Sequence, residues 1–248
     1  MGTVALIDVD PHLGAELAAD ELEIARRAIT ATTIDVPVGP WDQPLPGYGL
    51  SNAYGVIIID GFMLRSVHMG ERVTAQLYGP GDVMTAWPTD DLPTPVTVQV
   101  AMSAVSPATI ARLDDRVIAL AGRWPSVMRR IAWRVNSIAG RVSLQVAIAR
   151  VPRLEERLLL LFWGLAERWG SMTPNGMLLP VRLTHESIAA LTAASRPPVS
   201  GALSQLSREG LLTRVPTGWL LTPAGEQRLV DSLDSAEDTL EAVRAAAM

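Results

Sequence analysis

Thr184-His185-Glu186-Ser187-Ile188-Ala189-Ala190-Leu191-Thr192-Ala193-Ala194-Ser195-Arg196-Pro197-Pro198-Val199-Ser200-Gly201-Ala202-Leu203 is the stretch on which the reading of this chain turns. It divides into two short helical patterns around a tight turn. Ile188, Ala189 and Leu191 form the inner face of the first. Val199, Ala202, Leu203 and Leu206 follow one face of a 3.6-residue helix in the second. Thr184 and Ser195 both sit where a hydroxyl can cap the first free N–H groups of a helix. Leu211-Leu212-Thr213-Arg214-Val215 and Trp219-Leu220-Leu221, joined by Pro216-Thr217-Gly218, read as a β-hairpin wing. Such a unit can hold its second helix in a DNA major groove. Two small packed helices with no DNA role would show the same apolar spacing. The order helix, turn, helix, Arg208-Glu209-Gly210-Leu211-Leu212, hairpin favours the DNA reading.

Outward from that unit, 248 residues suit one large or two ordinary domains. With 48% apolar residues the chain is globular. No apolar run approaches the ~18 residues of a membrane span, and the N-terminus lacks a basic-then-apolar signal, so the expected location is the cytoplasm. The absence of cysteine excludes disulfides, zinc–thiolate sites and Cys-ligated iron–sulfur clusters. All 21 basic residues are arginine, which removes any chemistry needing a Schiff-base or P-loop lysine. The net charge of −5 is unevenly spread: −9 over residues 1–122, +6 over 123–170, +2 over 171–222 and −4 over 223–248. Positive charge in the middle and in the helix-turn-helix unit is expected to meet phosphates.

Residues 14–30 read as an amphipathic helix burying Leu17, Leu22, Ile24, Ala25 and Ala28. From about 33 to 112 short β runs alternate with Gly, Pro and Asp: 56–59 ended by Asp60-Gly61, then 62–67, 72–77, 96–100 and 108–111. Strands at such spacing suggest a barrel or sandwich. Helix returns after Asp114-Asp115, and Pro125 opens a long segment to Val151 that Pro152 should stop. Trp124, Met128, Ile131, Val135, Ile138, Val142, Gln145 and Ala149 follow a heptad seam. One reading is a coiled coil between two subunits, with Gln145 its single polar position; the other is a helix lying on its own barrel. The seam's length favours the dimer, with Met128, Ile131, Val135, Ile138, Val142, Gln145 and Ala149 as its interface. A helix from Arg153 to Trp169 ends at Gly170 and offers Leu158, Leu159, Leu161, Phe162 and Leu165 to the helix-turn-helix unit. A hairpin or surface turn follows around Pro174-Asn175-Gly176, and an acidic helix from Pro223 to about Ala246 closes the chain.

This order resembles the Crp/Fnr family of bacterial transcription regulators. The resemblance rests on Gly79-Pro80-Gly81-Asp82-Val83, like the family's glycine turn, on Leu154-Glu155-Glu156-Arg157-Leu158 and Leu165-Ala166-Glu167-Arg168-Trp169-Gly170, and on Leu183-Thr184-His185-Glu186 with Ala194-Ser195-Arg196-Pro197. It implies an α+β fold: an N-terminal β-roll, jelly-roll-like, over 1–122; a long dimerisation helix and hinge over 123–152; and a C-terminal winged helix-turn-helix over 153–248. It also implies double-stranded DNA with a pseudo-palindromic site and a second copy of the chain as partners, with RNA polymerase as a candidate third and no membrane.

Departures from the family pattern bear on mechanism. Cyclic-AMP-responsive members carry a Glu after the glycine turn and then an Arg-Ser or Arg-Thr pair. Here 84–95 reads Met-Thr-Ala-Trp-Pro-Thr-Asp-Asp-Leu-Pro-Thr-Pro, with no arginine between Arg72 and Arg112. A buried phosphate beside Asp82, Asp90 and Asp91 without a cation is strongly disfavoured, so no cyclic-AMP response is expected. His12, His68 and His185 are isolated, and no haem or other cofactor is expected. Trp41 and Trp87 are candidates for a pocket or, more simply, for the core. The family's recognition helix begins Ser-Arg-Glu with a second Arg one turn on. Here Ser195 and Arg196 remain, while Pro197 and Gly201 replace the Glu and the second Arg. Arg196 is expected to contact guanine O6 and N7 or a phosphate. Ser195, Pro197, Ser200, Gly201 and Ser204 face the groove beside it, with Thr184, His185, Arg214 and Thr217 as phosphate contacts. Ala193 stands where the family has glycine at the turn. A non-catalytic scaffold with a residual helix-turn-helix is the alternative; no nucleophile–base pair or metal cluster argues for an enzyme.

Overall fold

The computed structural model describes residues 2–41, 53–85 and 97–232. The strands are β1 (Gly2–Ala5), β2 (Thr30–Val36), β3 (Gly39–Pro40), β4 (Ala53–Asp60), β5 (Met63–Met69), β6 (Arg72–Tyr78), β7 (Val83–Met84), β8 (Val98–Ala104), β9 (Ala108–Asp114), β10 (Ser171–Thr173), β11 (Gly176–Leu179), β12 (Leu212–Val215) and β13 (Gly218–Leu221). The helices are α1 (Leu6–Val9), α2 (Ala19–Ala28), α3 (Asp115–Ala121), α4 (Pro125–Ala149), α5 (Leu154–Trp169), α6 (His185–Leu191) and α7 (Arg196–Arg208), and 223–232 is also helical. Two compact units form, with their boundary between Ser143 and Leu144 inside α4.

In the first unit all pairing is antiparallel, in a five-stranded sheet ordered β1-β2-β9-β4-β7 and a four-stranded sheet ordered β3-β8-β5-β6. The unbroken apolar run 56–59 has a simple cause: β4 is covered on both faces. Val56 and Ile58 join a core drawn from both sheets, with Met63, Tyr78, Ala104 and Ile110. Ile57, one residue out of phase, packs instead with Ala111, Leu113 and the helical residues Leu6, Leu13, Ala25, Val127 and Ile131. The two-residue period of a strand sends alternate side chains to the two cores. Asp60-Gly61 makes the expected turn, with Gly61 at φ 78°. The expected strands at 56–59, 72–77 and 108–111 lie in β4, β6 and β9; that at 62–67 starts one residue later, in β5, and that at 96–100 is met by β8 from Val98, with Val96 outside the described residues.

Three expectations are corrected here. The amphipathic helix is shorter than 14–30: a 3-10 turn spans Pro11–Gly14, α2 begins at Ala19, and Ile24 is 62% exposed. Only Ala25 is fully buried on α2, where Asp20, Glu21 and Glu23 leave room for one narrow apolar stripe. The seam on α4 serves its own roll: Ile131 is 2% exposed in the core that Trp124, Met128 and Val135 also contact, and Ile138 packs on the inter-sheet core. Met128, Val135 and Ile138 are thus partly covered by their own roll, while Val142 farther along the same seam is 42% exposed. The exposed side of α4 holds Trp133, Asn136, Gly140, Leu144 and Ala147. Heptad spacing reports that one face is buried without saying by what.

The third correction concerns charge. The arginines of α4 are not held out for phosphates. Arg129 and Arg130 pair with Glu16, Arg134 pairs with buried Asp10 and donates to the Gly81 carbonyl at 2.8 Å, and Arg141 pairs with buried Asp82 at 3.1 Å. Asp82 also accepts from the Gly79 N–H at 3.1 Å, so the glycine turn is gripped from the helix and from within. Four of the nine arginines of 123–170 thus answer three acids of 1–122.

Burial ranks these pairs. Arg134→Ala should lower stability to urea by about 3 kcal/mol, because it strands the Asp10 carboxylate. Arg129→Ala should change it by less than about 1 kcal/mol, since both partners are solvated. Equal losses in the two variants would contradict the ranking.

Candidate nucleic-acid interface

The second unit has a four-stranded antiparallel sheet ordered β10-β11-β13-β12, against which α5 and α7 pack, with α6 on α7. The turn region after Gly170 is a hairpin, and β11 pairs with β13 of the wing, a link the sequence pattern did not reveal. That pairing needs glycine: a Cβ on Gly218 would stand 2.0 Å from the Leu179 carbonyl oxygen. Leu158, Leu159, Leu161 and Phe162 of α5 are buried, and Phe162 meets Trp219 with ring centroids 4.9 Å apart.

α6 and α7 are the two helices of the opening stretch. Ile188, Ala189 and Leu191 are buried on α6, and Val199, Ala202, Leu203 and Leu206 on α7. Thr184 caps α6, its hydroxyl accepting from the Ser187 N–H at 3.1 Å. Ser195 does not cap α7, which corrects the second half of that expectation. An N-cap side chain accepts from the N–H of the second or third helical residue. Here those residues are Pro197 and Pro198, which have none. The start of α7 is thus short of the free backbone donors that make helix N-termini anion sites, and its charge comes from the exposed Arg196 side chain.

Between the helices, Ala193 has φ 50°, the left-handed conformation that non-glycine residues avoid. The Ala194 N–H bonds the Ala189 carbonyl at 2.9 Å and the Ala193 N–H reaches Ala190 at 3.4 Å, closing α6 in a Schellman motif. Two side chains grip the turn's carbonyls: Gln145 Nε2 donates to Leu191 at 2.9 Å, and Arg157 Nη1 donates to Thr192 at 3.2 Å while also binding the Val151 carbonyl. Buried Thr192 donates its own hydroxyl to the Ile188 carbonyl at 2.8 Å. Gln145, expected as a polar seam residue between subunits, is a strut of this turn. Neither grip shows in helical periodicity, although Arg157 stands within the Leu154–Leu158 motif.

Thr184, Ser195, Arg196, Pro197, Gly201 and Ser204 are exposed, as are Arg214 and Thr217 on the wing. Arg196, Pro197, Gly201 and Ser204 share the side of α7 opposite its buried stripe. Around Gly201 there is open space, with no atom within 4 Å of a Cβ built there. His185 and Ser200 are half-buried and engage each other, Nδ1 to Oγ at 2.8 Å. Arg182, Arg196, Arg208 and Arg214, the arginines of 171–222, are all exposed, where those of α4 are paired.

In the roll, sequence reasoning missed a buried cation. Arg65 of β5 is 7% exposed, and its guanidinium donates to the Thr85 carbonyl at 3.0 Å, to Gln76, and to the Tyr78 hydroxyl. Antiparallel pairing of β5 with β6 sets Arg65 opposite Gln76. The inference that this region holds no cation, drawn from the stretch 84–95 alone, is corrected. Trp41 belongs to the inter-sheet core. Trp87, Asp90, Asp91 and the acidic tail beyond residue 232 lie outside the described residues. Among the described residues no three His, Asp or Glu side chains group to hold a metal ion, and no helix is long and apolar enough to cross a membrane.

Residues 153–223 match the Crp-like helix-turn-helix domain family. No curated protein matches the chain. Among solved structures, the chain is similar to FixK2 from Bradyrhizobium japonicum, with 18% identity, a TM-score of 0.60, and coverage of 81% of this chain and 96% of that one. It is similar to a CooA mutant from Carboxydothermus hydrogenoformans, with 16% identity, a TM-score of 0.58 and coverage of 90% and 92%. A transcriptional regulator of the CRP/FNR family from Thermus thermophilus is similar at 16% identity, a TM-score of 0.57 and coverage of 81% and 98%.

The strain at Ala193 can be measured. Ala193→Gly should raise stability to urea by about 0.5–1 kcal/mol, the relief of the left-handed clash less the added freedom of glycine in the unfolded chain. An unchanged or lower stability would contradict the reading.

Proposed function

We propose that this chain, whose residues 153–223 form a Crp-like helix-turn-helix domain on the fold of Crp/Fnr regulators, is a dimeric transcription regulator that reads DNA with α7. One observation carries the reading: the buried stripe of α7 leaves Arg196, Pro197, Gly201 and Ser204 together on an open face, with the exposed Arg214 and Thr217 on the wing of the same unit. Residues 1–122 are the sensor-like roll, 123–152 the dimerisation helix and hinge, and 153–248 the DNA-binding part.

Arg196 is the principal base-reading side chain, because its guanidinium can donate two parallel hydrogen bonds to guanine O6 and N7. Pro197, Gly201 and Ser204 approach the groove closely but bring little hydrogen bonding, so sequence-dependent DNA shape carries part of the specificity. Arg214, Thr217 and Thr184 contact phosphates, and the site is a pseudo-palindrome with half-sites about one helical turn apart. The dimer forms along the exposed side of α4 through Trp133, Asn136, Gly140, Leu144 and Ala147, where the side chains recur at helical spacing and Trp133 is 64% exposed. RNA polymerase is the further partner such a regulator meets. The roll does not respond to cyclic AMP, because Arg65 already donates to Thr85, Gln76 and Tyr78.

Arg196→Ala should weaken binding to a selected duplex by about 1–3 kcal/mol in fluorescence titrations while leaving weak, salt-sensitive binding to random duplex. Equal losses on both duplexes would reduce Arg196 to a phosphate contact. Gly140→Glu should sediment as a monomer with unchanged helix content, since a side chain at 140 meets nothing within 4 Å in the single chain. A persisting dimer would move the interface elsewhere.

A further inference from the structure

Most hydrogen-bonding groups near α7 have a fixed polarity: arginine only donates and a backbone carbonyl only accepts. The His185–Ser200 pair is different. His185 is the first residue of α6 and Ser200 lies one turn after Arg196 on α7, and the two join Nδ1 to Oγ at 2.8 Å. Elsewhere a helical serine sends its hydroxyl proton back along its own helix: Ser204 of α7 donates to the Ser200 carbonyl at 2.8 Å and Ser143 of α4 to the Ala139 carbonyl at 3.0 Å. Among the described residues, the bond of the Ser200 hydroxyl is the one to His185. With the imidazole neutral and its hydrogen on Nε2, Ser200 donates to Nδ1, and its oxygen lone pairs are left to accept from outside. With the imidazole protonated, both ring nitrogens carry hydrogen. Nδ1 then donates, Ser200 accepts, and the hydroxyl proton is turned outward.

We propose that His185 is a positioning residue that decides whether Ser200 offers a hydrogen-bond acceptor or a donor to a base edge, so that protonating His185 changes the base preferred at one position of each half-site. The proposal rests on the DNA-reading role of α7 given above. An accepting Ser200 suits the amino groups of adenine N6 and cytosine N4, and a donating Ser200 suits guanine O6 and N7 or thymine O4. Histidine is the side chain that ordinarily changes charge between about pH 5 and 8. The charged residues flanking the pair in the sequence are Arg182 and Glu186 on the α6 side and Arg196 on the α7 side, while Gly201 and Ser204 are uncharged.

The test is selection from random duplex by the full chain at about pH 5.5 and about pH 8, either side of the ordinary histidine range, followed by titration of single-base variants of the selected site. At one position per half-site adenine or cytosine should be preferred at the higher pH. Guanine or thymine should gain roughly three- to tenfold in relative affinity at the lower pH, the worth of one hydrogen bond. Ser200→Ala and His185→Gln should abolish this shift, with helix content by circular dichroism checking that each variant is folded. A motif with identical base preferences at both pH values overturns the proposal and leaves DNA reading intact. So does a shift that persists in both variants, or a low-pH gain equal for all sequences, which assigns His185 to phosphate. If no sequence is enriched at either pH, the DNA-reading role itself falls.

Discussion

Burial of one stripe of α7 orients everything the C-terminal unit presents. Val199, Ala202, Leu203 and Leu206 are each no more than 5% exposed, and each large side chain so buried contributes roughly 1.5–3 kcal/mol. A helix fixed along that stripe has no rotational freedom left, so its opposite face is determined. The turn before it is held at its carbonyls by Gln145 and Arg157, and the wing after it is tied to β11 through Gly218. Arg196 has a direction because these restraints act on both ends of the helix.

The chemistry of that face is spare. Two prolines strip the start of α7 of backbone donors, and Gly201 leaves open space where a longer side chain could reach a base. Discrimination then falls on Arg196, on the hydroxyls of Ser200 and Ser204, and on the ease with which a sequence takes the required groove shape. The charge pattern agrees: the exposed arginines of this unit face solvent, whereas Arg134 and Arg141 on α4 are consumed by Asp10 and Asp82.

What could be read in the sequence was local. The α6–turn–α7 unit, the wing, the Asp60-Gly61 turn and the Pro125 helix start are written in periodicity and turn chemistry over a few residues, while the left-handed turn at Ala193 was legible only through the family resemblance, which has glycine there. The failures are tertiary. Heptad spacing along α4 marked a buried face, but only the fold shows that its own roll does the burying. Ser195 was expected to cap α7, although the neighbouring prolines already forbade it; that signal was present and misread. The grip of Gln145 and Arg157 on the turn, and the arrival of Arg65 beside Thr85, depend on strand pairing and helix packing that no local pattern encodes.

The central claim is that α7 is a base-reading helix acting in a two-fold pair. Hydroxyl-radical footprinting of the full chain on a duplex enriched from random sequence tests it most directly. The account predicts two protected half-sites related by a dyad, centred about one helical turn apart, over a conserved guanine in each. An unstructured, sequence-independent footprint, or a single half-site at saturating protein, would contradict it.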